Sequence, residues 1–157
     1  MAGPGYPFAV GKQGGRLGVV TALARTGFLV NAAYLETSRE YGLTPQQGQL
    51  LAFLRGQPMG MGELGVALGL AKSTVTGLVD RSERAGLVQR EPDLSDSRAI
   101  RVALTPHGTK IADGFYTTVH RRIEQLQLPL TETERATLAD LLSRVVAVNT
   151  VSTLFLD

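Results

Sequence analysis

The chain has 157 residues, room for one domain, and 43% of them are apolar, enough for a core and too many for wholesale disorder. The 16 Lys and Arg against 14 Asp and Glu leave a net charge of +2, too small by itself to establish a nucleic-acid partner. Cysteine is absent, which excludes disulfides and thiol redox sensing, and no run is long and apolar enough to span a bilayer.

Residues 1–13 are rich in Gly and Pro and read as a loose arm without the apolar stretch of a signal peptide, so a cytoplasmic location is expected. Residues 14–42 read as a long helix with Leu17, Val20, Ala24, Phe28 and Leu35 on its apolar positions, closed by Gly42. Thr44-Pro45-x-Gln47 then starts a second helix, with Thr44 as N-cap, Pro45 at the first helical position and Gln47 placed for a capping box. Leu50, Leu51, Phe53 and Leu54 are its apolar residues, and Gly56 stops it.

From Glu63 the pattern is two short helices around a tight turn. Leu64, Ala67 and Leu68 share one face of the first. Gly69 stands where a positive φ ends a helix without a Cβ clash, and Leu70 plugs the turn into the core. The second helix spans about 72–85. Val75, Leu78, Val79 and Ser82 share its inner side, Ser73, Gly77, Asp80 and Arg84 the outer, with Thr76 and Arg81 flanking. Gly86 closes it. Short side chains early and cations late suit a helix whose outer face reads a DNA groove, although an ordinary surface helix has a similar face.

A charged hairpin follows. Leu87, Val88, Gln89 and Arg90 form a strand, residues 92–97 have turn chemistry, and Ile100, Val102 and Leu104 alternate with Arg101 and Ala103 as a half-buried strand. A hairpin beside a helix-turn-helix is a wing, and arginines on it suit the negative potential of a minor groove. Between 72 and 101, six basic residues face five acidic ones, so arrangement and not net charge carries the argument.

Thr105-Pro106 caps a further helix with Ile111, Phe115, Val119, Ile123 and Leu126 on one face. Pro129 breaks it. Thr131-x-x-Glu134 is a capping box for a last helix striped by Leu138, Leu141, Leu142, Val145 and Val148. The tail, VSTLFLD, stays apolar almost to its last residue, with Val151, Leu154, Phe155 and Leu156 requiring cover from a partner or from the chain itself.

Catalysis fits poorly. Ser73, Ser95 and Ser97 have no histidine in a triad pattern, and neither a nucleophile elbow nor a phosphate-binding glycine loop is present. His120 and Glu124 read as an exposed i, i+4 pair, so no metal and no cofactor is expected.

The series Arg90-x-Pro92-Asp93-x-x-Asp96-x-Arg98, followed by Leu104-Thr105-Pro106-x-Gly108, resembles the wing of MarR-type transcriptional regulators, and the whole chain is similar to that family. The resemblance implies a mainly α fold with a small β-hairpin wing. The winged helix-turn-helix would be 43–108, flanked by dimerisation helices at 14–42 and 109–157. It implies a bacterial or archaeal source and a homodimer on a pseudo-palindromic double-stranded operator. The recognition helix falls on Lys72–Arg84, with Arg98 entering the minor groove and Asp96 positioning it. The expected DNA-binding set is Lys72, Ser73, Thr74, Thr76, Gly77, Arg81, Arg84, Arg90, Asp96, Arg98 and Arg101. The expected dimerisation set is Leu17, Val20, Leu142, Val145, Val148, Leu154, Phe155 and Leu156.

The resemblance also implies a repressor released by a small phenolic or other anionic effector. No residue identifies that effector, and the lack of tryptophan argues against the urate-responsive branch. Two positions depart from the family pattern. Ala71 lacks the capping oxygen usual there, a loss of about 1 kcal/mol. Gly77 replaces a long polar side chain, weakens the helix by about 1 kcal/mol and reads no base. Two alternatives remain at this stage: a winged-helix module that docks a protein and not DNA, and a DNA-binding dimer without an effector.

Overall fold

A computed structural model describes residues 15–149. The expected N-terminal arm at 1–13 and Val151, Leu154, Phe155 and Leu156 lie outside the described residues. In chain order the elements are α1 (Val19–Glu40), α2 (Pro45–Leu54), β1 (Met59–Gly60), α3 (Met61–Leu68), α4 (Lys72–Arg84), β2 (Val88–Pro92), β3 (Ile100–Leu104), α5 (Pro106–Leu126) and α6 (Glu132–Ala147).

Local rules set most of these ends. Thr44 Oγ1 accepts from the Gln47 amide at 3.1 Å while Gln47 Oε1 accepts from the Thr44 amide at 3.0 Å, the capping box at the start of α2. Thr131 and Glu134 repeat it at α6, and the two Thr131 donors lower the Glu134 carboxyl below its ordinary range. At α3 only half a box exists, because Gly60 has no side chain: Glu63 Oε2 accepts from the Gly60 amide at 2.6 Å. Gly42, Gly69 and Gly86 all have positive φ and end α1, α3 and α4.

The sheet has the order β1-β3-β2, antiparallel throughout, with Met59 opposite Val102 and Arg90 also opposite Val102 on the other side. Helices α2, α3 and α5 pack around β3. Leu50, Leu51, Leu54, Leu64, Val75, Leu78, Val79, Val88, Val102, Phe115 and Val119 form one core. Gly108 permits α5 to leave this body: a Cβ there would lie 1.8 Å from the Leu87 carbonyl oxygen. That clash explains why glycine follows Thr105 and Pro106. Thr105 itself caps α5 through Gly108 and donates to the Gly86 carbonyl at 2.6 Å.

The C-terminal half of α1 packs on α5. Tyr34 and Tyr41 flank the Phe115 ring, and Arg122 reaches back to donate to Thr37 Oγ1 and Glu40 Oε1, each at 2.5 Å. Burial first, and the neighbouring Tyr116 second, push the Tyr34 phenol up to about 12.

Several expectations need correction. The strand β1 and the start of α3 at Met61 have no signal in the sequence pattern; β1 is two residues long and exists only because β3 pairs with it. Leu17 precedes α1, which begins at Val19. The buried residues of α1 are Ala33, Thr37 and Ser38, whereas Val20 is 79% and Phe28 75% exposed. The apolar stripe therefore faces away from the protomer's own core. In β3, Ile100 is exposed and Ala103 buried, the reverse of simple alternation. Ile100 lies on the outer part of the wing, while Ala103 sits in a central strand packed by helices. Helix α6 has no buried residue at all. Among the described residues no helix is long and apolar enough to cross a membrane.

Candidate DNA-binding interface

Helices α3 and α4 form a helix-turn-helix around Gly69, with the Leu70 amide donating to the Gly65 carbonyl at 3.0 Å. The inner side of α4 is buried at the four expected positions, Val75, Leu78, Val79 and Ser82. That burial fixes the helix's rotation and so decides what its outer face presents. The Ser82 hydroxyl is buried without a hydrogen-bond partner among the described residues, a local cost of roughly 1–3 kcal/mol.

At the start of α4, Lys72, Ser73 and Thr74 are exposed. Ala71 is the N-cap and makes no side-chain cap, so the first amides of the helix are left open. Thr76 donates its hydroxyl to the Lys72 carbonyl at 2.9 Å, leaving it an acceptor toward any outside donor. Gly77 is half-buried, and a Cβ there would meet one atom, Arg81 Nη1, at 3.2 Å. The Arg81 guanidinium thus lies beside the gap that Gly77 leaves. Arg84 Nε donates to the Asp80 carbonyl at 3.2 Å.

The wing is shaped by Asp93. Its Oδ1 accepts from the Ser95 hydroxyl at 2.6 Å, the Ser95 amide at 2.7 Å and the Asp96 amide at 3.3 Å. Oδ2 lies 3.5 Å from Arg101 Nε. These bonds, the Ser95 hydroxyl foremost, hold the Asp93 carboxyl below its ordinary range. The Asp93 amide and the Ala99 amide, bonding to the Ala99 and Asp96 carbonyls, close the hairpin. Asp96 Oδ1 accepts from the backbone amide of Arg98 at 3.0 Å, so the contact between them is to the main chain of Arg98. Arg98 is exposed, and Leu94 beside it is entirely so.

The basic residues expected to contact DNA fall into two groups. Lys72, Arg81, Arg84 and Arg98 make no ion pair among the described residues. Arg101 is held within the protomer, by Asp93 and by the Pro58 carbonyl. Arg90 is held by helix α4: Nη2 donates to Asp80 Oδ1 at 2.6 Å, Nη1 to Glu83 Oε2 at 2.5 Å, and its backbone amide to Glu83 Oε1 at 3.2 Å. The Asp80 bond is the main cause of a guanidinium pKa raised above its ordinary value, with slight burial opposing and Glu83 adding. The turn role of Asp93 is legible in the sequence, whereas the anchoring of arginines by Asp80, Glu83 and Asp93 is not. The acidic pair three residues apart is visible in the sequence, but its partner is set by the path of β2.

Elsewhere, His120 and Glu124 form the exposed i, i+4 pair at 3.6 Å. Arg55 bonds Asp113 at 2.8 Å and stacks 4.2 Å from the Tyr116 ring centre, tying the end of α2 to α5.

Comparison with known proteins agrees with this architecture. The sequence profile described as MarR family matches residues 41–99. The chain is 31% identical over 123 residues to the uncharacterized HTH-type transcriptional regulator YkoM of Bacillus subtilis, covering 77% of this chain and 79% of that one. It is 26% identical over 110 residues to the homoprotocatechuate degradative operon repressor of Escherichia coli, covering 69% and 74%. The crystal structure of wild-type MarR, apo form, from E. coli superposes with a TM-score of 0.71 at 25% identity, over 84% of this chain and 98% of that one. These likenesses favour a DNA-binding regulator over a protein-docking module, and over any enzyme.

Proposed function

The chain belongs to the MarR family of DNA-binding transcriptional regulators, and from that premise we propose that it is a homodimeric repressor released from its operator by a small ligand. The observation that carries the dimer is the bare apolar surface at the two chain ends. Val19, Val20, Leu23, Phe28 and Leu29 on α1 are exposed, as are Leu138, Leu141, Leu142, Val145 and Val146 on α6 and Val148, the residue that caps its end. A 16-residue helix with no buried residue gains nothing from its apolar stripe as a monomer. Pairing α1 and α6 with those of a second copy covers it and sets two recognition helices on a two-fold axis. Leu17, Val20, Leu142, Val145 and Val148 belong to that surface; Leu154, Phe155 and Leu156 extend it by sequence.

On this reading Lys72, Arg81, Arg84 and Arg98 supply cations to phosphates and grooves, and Ser73, Thr74 and Thr76 supply short polar groups to base edges. Two recognition helices must enter successive major grooves about one helical turn apart. Binding at a promoter occludes it, which supports repression; the similar E. coli protein is itself an operon repressor. A chromosomal operator places the protein in the cytoplasm. A ligand seated between the dimer helices and the winged domains releases DNA only by the difference in its affinity for the two spacings. Sedimentation tests the dimer. Leu142→Glu in the full chain should yield monomers and lose operator binding; a variant that stays dimeric at low micromolar concentration would move the interface away from α6.

A further inference from the structure

We propose that Arg90 is a positioning residue for operator recognition: it locks the wing to the recognition helix and offsets one of the two negative charges of Asp80 and Glu83 there, without contacting DNA itself. The inference rests on the DNA-binding reading above. Its basis is a three-bond clamp. Glu83 uses one carboxylate oxygen for the Arg90 backbone amide and the other for the guanidinium, and Asp80 takes the second guanidinium nitrogen. One side chain of β2 therefore bonds two residues of α4 that lie about one turn apart, and the main chain of β2 is tied to the same helix.

Two consequences follow for DNA binding. The wing and α4 approach DNA together, so the angle between them sets whether Arg98 and the α4 face can engage at once. The Val88–Pro92 strand packs on α4, and Arg90 is in its middle. Charge is the second consequence. Asp80 and Glu83 share α4 with Lys72, Arg81 and Arg84, and their side chains are 44% and 40% exposed. Two uncompensated carboxylates there would repel phosphates. Arg90 is 29% exposed, the most covered partner of the three, and both of its terminal nitrogens already face carboxylates. Arg98, by contrast, has an exposed guanidinium with no ion pair among the described residues. The two wing arginines thus divide into one that holds and one that reaches.

The test is a double-mutant cycle in the full chain, read as affinity for a duplex carrying the chain's own promoter and for a scrambled duplex, well below every variant's melting temperature. Arg90→Met should weaken promoter binding by about tenfold, and weaken scrambled binding less. In an Asp80→Asn, Glu83→Gln background the same substitution should change promoter affinity by less than about twofold, because the clamp is already gone. Arg90→Lys should restore part of the loss, since a single ammonium can hold one carboxylate. Equal losses from Arg90→Met in both backgrounds would overturn the proposal and make Arg90 a direct DNA contact. Equal losses on both duplexes would reduce Arg90 to general stability and also overturn it. If the unaltered chain binds no duplex, the regulator reading fails first and this inference with it, an outcome distinct from both.

Discussion

Gly77→Ala separates the stability of the recognition helix from its fit to DNA. Gly77 is in the interior of α4, five residues past its start, with ordinary negative φ. Alanine there should stabilise the helix by up to about 1 kcal/mol. The new Cβ meets Arg81 Nη1 at 3.2 Å and nothing else within 4 Å. That atom is the free end of a flexible side chain, so it moves aside at little cost. The melting temperature should therefore rise by about 2–4 °C for a chain of this size. Operator binding should move the opposite way. If the outer face of α4 enters the groove, the methyl fills the space left at Gly77 and shifts the arginine beside it, so affinity should fall by about tenfold. Thermal melting and an anisotropy titration on the promoter duplex read the two effects from one preparation. A lower melting temperature would refute the open-space argument. Unchanged or tighter DNA binding would show that Gly77 is a tolerated weak point and not a place where backbone and DNA approach closely.

Arg98→Ala should cost about 1–3 kcal/mol of operator affinity and lower the salt slope by about one, with the fold intact; Asp96→Ala should cost less, because its carboxylate holds only the Arg98 main chain. Ala71→Ser and Ala71→Asp should each raise stability by about 1 kcal/mol by capping α4, but only the aspartate should weaken operator binding, its charge opposing the phosphates near the helix start; equal binding by both would place that end away from DNA. Ser82→Ala should raise stability by about 1 kcal/mol by removing a buried hydroxyl that has no partner, and a fall would reveal a bond to that oxygen. Because the folded state raises the Tyr34 pKa from 10.0 to about 12, its contribution is complete below pH 10 and is lost as pH rises toward 12; denaturant midpoints should drop across that window, and Tyr34→Phe should flatten the drop.

What the sequence discloses here is governed by distance along the chain. The capping boxes at Thr44 and Thr131, the positive-φ glycines 42, 69 and 86, and the inner face of α4 depend on neighbours within about one helical turn, and all are legible. The strand at Met59 and Gly60 is not, because its pairing partners Val102 and Arg101 lie more than forty residues away. Gly108 is recognisable as part of a pattern, but its reason is the Leu87 carbonyl across the fold. The wing arginines show the same limit at the candidate site. Composition presents Arg90, Arg98 and Arg101 as equivalent cations; the path of β2 brings Arg90 onto Asp80 and Glu83, the hairpin turn brings Arg101 onto Asp93, and Arg98 is left exposed. The stripe on α1 is a legible apolar face left exposed among the described residues, so periodicity finds the face and cannot say what it meets.

The central claim is that two copies of this chain read one operator through paired recognition helices. Footprinting of the chain's own promoter, combined with stoichiometric titration over a range of salt, tests it most directly. The account predicts two chains per site, protections in major grooves about one helical turn apart, and affinity that falls steeply with salt. A single chain per site, or binding indifferent to both sequence and salt, would contradict it.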